Sequence, residues 1–244
     1  MILNPTLRRT WVLFCTVVVM LSACATGPAA DPRDPLEPFN RVMFNFNDTA
    51  DRVVLKPVAT GYKKVVPSMA RKGIGNFFDN LKDAWSSVNN ALQLKGEAAG
   101  THFFRFLINS TLGMGGVFDL ATDLGLERQS EDFGQTLGYW GVSPGPYIVL
   151  PLLGPSTLRD TLAGPVDAYG NLIPLIQDTA TRDILTGLGL IDRRARLLSA
   201  TNMLDQVALD PYLFSRDVFL QMRRNAVYDG NPPPEPESAD GVTK

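Results

Sequence analysis

The chain has 244 residues, 23 of them Lys or Arg and 25 Asp or Glu, for a formal net charge of −2. That length permits one large domain or two small ones, and the lack of a basic surplus argues against a nucleic-acid binder. One histidine, His102, and two cysteines leave almost no soft donors for zinc or haem, so no metal site is expected.

At the N-terminus Arg8 and Arg9 precede an apolar run from Trp11 to Leu21. The run is far shorter than the roughly 20 residues a spanning helix needs, and it has the pattern of a cleaved leader over residues 1–23. Its end, Leu21-Ser22-Ala23-Cys24, resembles the bacterial lipoprotein box. That resemblance implies cleavage before Cys24 and acylation of its thiol and amine by a diacylglycerol and a fatty acyl chain; no other cofactor is called for. Three acyl chains exceed the two signals that stable anchoring takes, each buried methylene contributing about 0.8 kcal/mol. Ala25 stands where inner-membrane lipoproteins usually carry aspartate, which points to the periplasmic side of the outer membrane. Cys15 departs with the leader and Cys24 carries the lipid, so the mature chain is expected to hold no disulfide. It keeps 221 residues, with 21 basic and 25 acidic side chains.

Residues 24–35 contain Pro28, Pro32 and Pro35 and predict an extended tether. From Leu36 the pattern changes. Phe39, Val42, Met43, Phe46, Ala50, Val53 and Val54 recur at helical spacing and predict an amphipathic helix over 36–54, with Pro38 in its first turn. Phe44 lies off that stripe and Asn40, Asn45 and Asn47 interrupt it, so this helix has two apolar aspects with amides between them, suited to touching both protein and lipid. Pro57 and Pro67 punctuate the next stretch. A long helix is predicted over 68–94, carrying Ile74, Phe77, Phe78, Leu81, Trp85 and Val88, of which most of the aromatic set reads as ordinary core. Another covers 97–111, stopped by Gly113-Met114-Gly115-Gly116, and short helices are predicted at 117–126 and 132–139.

Residues 138–154 interleave glycines and prolines with Tyr139, Trp140 and the apolar run from Tyr147 to Leu153, and read as a hairpin or an apolar loop. Helices over 156–163, 179–188, 192–207 and 211–228 complete the set. The Pro- and Glu-rich tail from 229 is expected to be disordered. No repeat of 20–50 residues occurs, which excludes a solenoid. The expectation is an all-α, single-domain body over 36–228.

Most motifs that look chemical fail on physical grounds. Gly141-Val142-Ser143-Pro144-Gly145 matches the G-x-S-x-G of serine esterases. That elbow needs a backbone N–H after the serine for its oxyanion hole, and Pro144 has none. The histidine should also follow the serine, whereas His102 precedes it. His102 therefore reads as a packed or hydrogen-bonded residue. Gly113 to Gly116 lacks the spacing of a dinucleotide fingerprint, and no Walker A sequence occurs. Glu131 and Asp132, just before Phe133, read as a helix N-terminus, where negative charge is favoured. No catalytic residue is expected.

Three longer segments carry a family resemblance: Asp34 to Asn47 (DPLEPFNRVMFNFN), Phe106 to Asp119 (FLINSTLGMGGVFD) and Phe133 to Asp160 (FGQTLGYWGVSPGPYIVLPLLGPSTLRD). Together they resemble the VacJ, or MlaA-type, outer-membrane lipoproteins, with a likeness extending over about residues 24–228. The resemblance implies a ring-like helical protein set into the inner leaflet of the outer membrane around an amphipathic passage. It implies removal of misplaced phospholipid from the outer leaflet and its delivery to a soluble periplasmic carrier, next to a trimeric outer-membrane porin, with no bond broken. By the same resemblance the segment 138–154 is a hairpin beside the passage that gates it, and Gly138, Gly141 and Gly145 give it backbone freedom. Phe39, Asn40, Met43, Asn45 and Phe46 are the candidates to line the passage. Two other readings stay open: a structural porin-associated lipoprotein, and a serine lipase using Ser143.

Overall fold

The computed structural model describes residues 31–234, the side chains of 205–207 excepted. The leader, Cys24, most of the tether and the tail from 235 lie outside the described residues.

Helix α1 (Glu37–Ala50) opens with an acidic residue and Pro38, continues through a π-helical turn (Asp51–Leu55), and passes without a break into α2 (Lys56–Val65). Pro57, a natural stop, does not end this helix. A proline ring clashes with the carbonyl four residues before it and cannot donate to it. The preceding turn widens to i→i+5 bonding, the Lys56 N–H reaching the Asp51 carbonyl, and the strain is absorbed. After Pro67 come α3 (Ser68–Leu92) and α4 (Gly96–Thr111), packed along each other. Only one turn of the helix predicted over 117–126 forms, α5 (Leu120–Asp123). Helix α6 (Phe133–Tyr139) matches expectation, with Asp132 as N-cap accepting from the Gln135 N–H at 2.8 Å.

The glycine- and proline-rich segment becomes an antiparallel hairpin, β1 (Tyr147–Leu150) paired with β2 (Gly154–Thr157), with Tyr147 opposite Thr157 and Leu150 opposite Gly154. Ser156 and Thr157, predicted as helix, are therefore strand. Helix α7 starts at Leu158, where the Thr157 side chain caps it, and runs to Gly170. A 3-10 turn (Ile173–Leu175) comes next. The two helices expected over 179–188 and 192–207 are one, α8 (Thr179–Val207). Glycine within a helix costs about 1 kcal/mol, but a Cβ at Gly189 would meet the Phe78 ring at 3.0 Å. The glycine is what lets Phe78 close on the helix. Helix α9 (Pro211–Val227) is capped by Asp210.

The contacts between elements close a circuit. It runs from α1 through the π turn and α2 to α8, then α3, α6 and α9, and returns through β2 and β1 to α1. This mostly helical ring has two small apolar clusters on separate arcs. One joins Ala59 of α2 to Ala195 and Leu198 of α8. The other joins Tyr147 and Val149 of β1 to Tyr212 of α9, with Met43 and Phe44 packed against it. The folded body also reaches back into the predicted tether: Asp34 is buried and the Arg33 carbonyl accepts from the Tyr147 N–H at 2.8 Å.

Candidate functional site

Polarity in the ring is inverted. Among the described residues, 19 polar or charged residues are buried against 11 apolar ones, and the apolar set includes four alanines. On α3 the buried polar positions are Asn80, Asp83, Ser86, Asn89 and Asn90, with Gln93 just beyond, while Val88 and Leu92 are exposed. Helix α4 does the same, burying His102, Arg105 and Asn109 and exposing Phe103, Phe104 and Leu107. Of the expected aromatic core of α3 only Phe78 is buried; Phe77, Leu81 and Trp85 are half-buried.

Such an interior is stable only if its groups are paired. Asp83 accepts from His102 Nδ1 at 3.0 Å, Arg105 Nε at 3.2 Å and Arg128 Nη2 at 2.8 Å. Burial alone would raise the Asp83 pKa, but His102, Arg128 and Arg105 outweigh it and hold the carboxyl below its ordinary value. Arg105, fully buried, donates from Nη2 to both carboxylate oxygens of Asp119 at 3.0 Å and also reaches Thr122 and the Leu126 carbonyl. Burial likewise opposes ionisation of Asp119, and bonds from Thr122, Asn109 and Arg105 bring it down to about 2. Next to this network Glu131 bonds Gln93 at 3.0 Å; its burial pushes the carboxyl up to about 7. A cleft of about 870 Å³ opens beside these groups, lined by His102, Lys95, Gln129 and Asp229.

The candidate residues on α1 divide. Asn40 is fully buried: Nδ2 donates to Asp34 Oδ1 at 2.8 Å and to the Tyr147 carbonyl at 3.0 Å, and Oδ1 accepts from the Val149 N–H at 2.8 Å. Its amide is spent on the hairpin and on Asp34. Met43 packs on the hairpin cluster, whereas Phe39, Asn45 and Phe46 are exposed. Asn47, not among the sequence candidates, repeats the Asn40 pattern two turns on, with Nδ2 donating to the Leu150 carbonyl at 2.9 Å and Oδ1 accepting from the Leu152 N–H at 2.7 Å. Its signal is the seven-residue spacing from Asn40, legible only once a strand edge lies alongside.

The three glycines divide too. Gly138 lies inside α6, where a Cβ would meet Arg159 Nη1 at 2.5 Å and Val227 at 2.9 Å; it is a packing glycine and not a pivot. Gly141 and Gly145 adopt φ of 87° and 66°, which L side chains avoid, in the loop leading into β1. Ser143 sits in that same loop, exposed, between a helix and a strand, the reverse of the strand-to-helix order an esterase elbow needs.

The family model for MlaA lipoproteins matches residues 32–226. This chain belongs to the MlaA lipoprotein family. It is 38% identical over 192 residues to an Escherichia coli protein named "Intermembrane phospholipid transport system lipoprotein MlaA", covering 77% of this chain and 76% of that one. The Haemophilus influenzae protein of the same name is 35% identical over 222 residues, covering 87% and 88%. A solved structure described as "Structural basis for maintenance of bacterial outer membrane lipid asymmetry" superposes with a TM-score of 0.70 at 36% identity, over 81% of this chain and 99% of the other.

Proposed function

We propose that this chain is an outer-membrane lipoprotein that takes mislocalised phospholipid from the outer leaflet and passes it to a soluble periplasmic carrier, so maintaining lipid asymmetry. The observation that carries this is the inverted polarity. A water-soluble domain of this size hides its large apolar side chains, yet Phe46, Phe103, Phe104, Leu152 and Leu153 are all more than half exposed, while arginine, aspartate and asparagine fill the interior. Lipid tails satisfy the first set, and the second keeps the ring rigid. No helix among the described residues is long and apolar enough to cross a membrane. Family membership and the named phospholipid-transport relatives support the same reading.

Acyl chains on Cys24 hold the protein on the periplasmic side, and the exposed apolar ring seats in the inner leaflet against a trimeric porin. Phe39, Met43, Asn45 and Phe46 border the passage, the hairpin with Gly141 and Gly145 gates it, and no bond in the lipid is broken. Cells lacking the chain should accumulate phospholipid on their outer surface. A disulfide engineered between β1 and α1 should reproduce that defect until reductant is added, and Ser143→Ala should not. Normal surface lipid in cells lacking the chain would refute the transport reading; loss of function in a folded Ser143→Ala variant would revive the lipase.

A further inference from the structure

We infer that the corner between α2 and α3 is a binding site for the headgroup of an anionic phospholipid, built on an arc of the ring to which the hairpin contributes no residue. The inference rests on the membrane seat proposed above and deepens it by naming a lipid class and the place that holds it. Residues 52–78 contain six basic side chains, Arg52, Lys56, Lys63, Lys64, Arg71 and Lys72, and no acidic one, in a chain whose net charge is −2. Four of the six crowd the corner itself, which reads Lys63-Lys64-Val65-Val66-Pro67-Ser68-Met69-Ala70-Arg71-Lys72. Elsewhere Arg41, Arg105, Arg194 and Arg223 each hold an aspartate. The corner has none. Lys63 bonds only the Ser199 hydroxyl at 3.3 Å, and Arg71 donates to the backbone carbonyls of Lys63 and Val66. Lys64 and Lys72 have no partner among the described residues.

Between this corner and α8 lies a cavity of about 320 Å³, walled by Lys63, Ser68, Arg71, Lys72, Asn76 and Arg196. The only acid in its wall, Asp192, is already spent: it is buried, accepts from the Tyr62 hydroxyl at 3.0 Å and pairs with Arg196 Nε at 3.1 Å. Arg196 Nη1 holds Asp79 at 2.9 Å, so this arginine is fixed in place and neutralised. Lys63, Arg71 and Lys72 remain uncompensated around the cavity. Helix α3 also starts here without a side-chain cap, and its first amides add to the positive potential. Such a surplus takes a headgroup of net negative charge, because a zwitterionic one cancels its own phosphate. The apolar pair in the same corner makes the ligand a lipid: Val65 and Met69, between the two pairs of cations, are each 82% exposed. Apolar side chains set into the acyl region beside cations at headgroup level are how a segment seats on an anionic lipid surface, and the aliphatic stems of lysine carry the ammonium groups out to the phosphates.

The test is native mass spectrometry of the full mature chain released from mild detergent and titrated with dihexanoyl-phosphatidylglycerol or dihexanoyl-phosphatidylcholine, so that bound lipid is counted per chain. Wild type should hold phosphatidylglycerol at least about fivefold more tightly, the effect of a single lysine near an anionic headgroup. Lys63→Gln together with Lys72→Gln should erase that preference, whereas Lys82→Gln, farther along α3 and paired with Asp79, should leave it intact. Val65→Ser with Met69→Ser should weaken phosphatidylglycerol while keeping the preference over phosphatidylcholine. Equal retention of the two lipids by wild type would overturn the site without any variant, and an equal loss in Lys82→Gln would overturn it in favour of diffuse charge. Displacement of the lipid by inorganic phosphate at matching concentration, or an unchanged affinity in the Val65 and Met69 variant, would overturn the lipid and leave a free-anion site. No accumulation of surface phospholipid in cells lacking the chain would overturn the transport reading instead.

Discussion

An inverted interior predicts an inverted mutational profile, and Arg105 with its neighbour Phe104 makes the sharpest test. Arg105 is 0% exposed and is shared by Asp83 and Asp119, whereas Phe104 is 53% exposed. Arg105→Met keeps the side-chain bulk but leaves two carboxylates short of a partner. Breaking a buried ion pair from one side costs about 3–5 kcal/mol. In a domain of about 200 residues each kcal/mol lowers the melting temperature by roughly 2–4 °C, so the expected loss is on the order of 10 °C. Phe104→Ser, ruinous in an ordinary core, is expected to cost at most about 0.5 kcal/mol, as surface changes do. The assay is thermal unfolding of both variants in the same mild detergent, followed by circular dichroism. Acid gives an independent check. The folded Asp83 and Asp119 pKa values lie below their unfolded ones, so their contribution is present above about pH 4 and is lost as pH falls through the folded values; Arg105→Met should flatten that acid limb. A Phe104→Ser variant less stable than Arg105→Met would refute the inverted interior.

Cys24→Ala is expected to abolish incorporation of labelled fatty acid, and retained label would sink the lipoprotein assignment. Gly138→Ala drives a Cβ into Arg159 and Val227 and should cost about 1–3 kcal/mol through overpacking; Gly141→Ala, whose Cβ meets nothing, should cost only the roughly 1 kcal/mol of a left-handed backbone. Denaturant midpoints rank the two, and the opposite order would return Gly138 to the gate. The folded Glu131 pKa is raised by burial to about 7. Stability from this neutral acid is full below its unfolded value near 4.5 and fades as pH rises to about 7. Glu131→Gln should remove that slope and melt higher than wild type at pH 8; an unchanged melting profile would show that Glu131 titrates normally.

What the sequence determined by itself was local or written in long motifs. Helical periodicity placed α3, α4, α9 and the start of α1 to within a few residues, since a cap, a proline or a glycine lies at or near those ends, whereas it did not show α1 running on through Pro57. The argument against Ser143 and His102 as catalysts drew only on residue order and a missing N–H. Family and function were legible because three segments totalling dozens of residues cannot match by chance, even while no single side chain announced a task. The tertiary structure decided which face of each helix points inward. Periodicity reports that α3 has a polar stripe at Asn80, Asp83, Ser86 and Asn89 and an apolar one beside it, but the hydrophobic effect selects the apolar stripe for burial only where water is the alternative. In a chain that meets lipid the choice reverses, and nothing within one helix records that. The same holds for Asn40 and Asn47: an amide has two donors and an acceptor whatever surrounds it, and only the arrival of the hairpin from a hundred residues away gave these two asparagines their backbone partners.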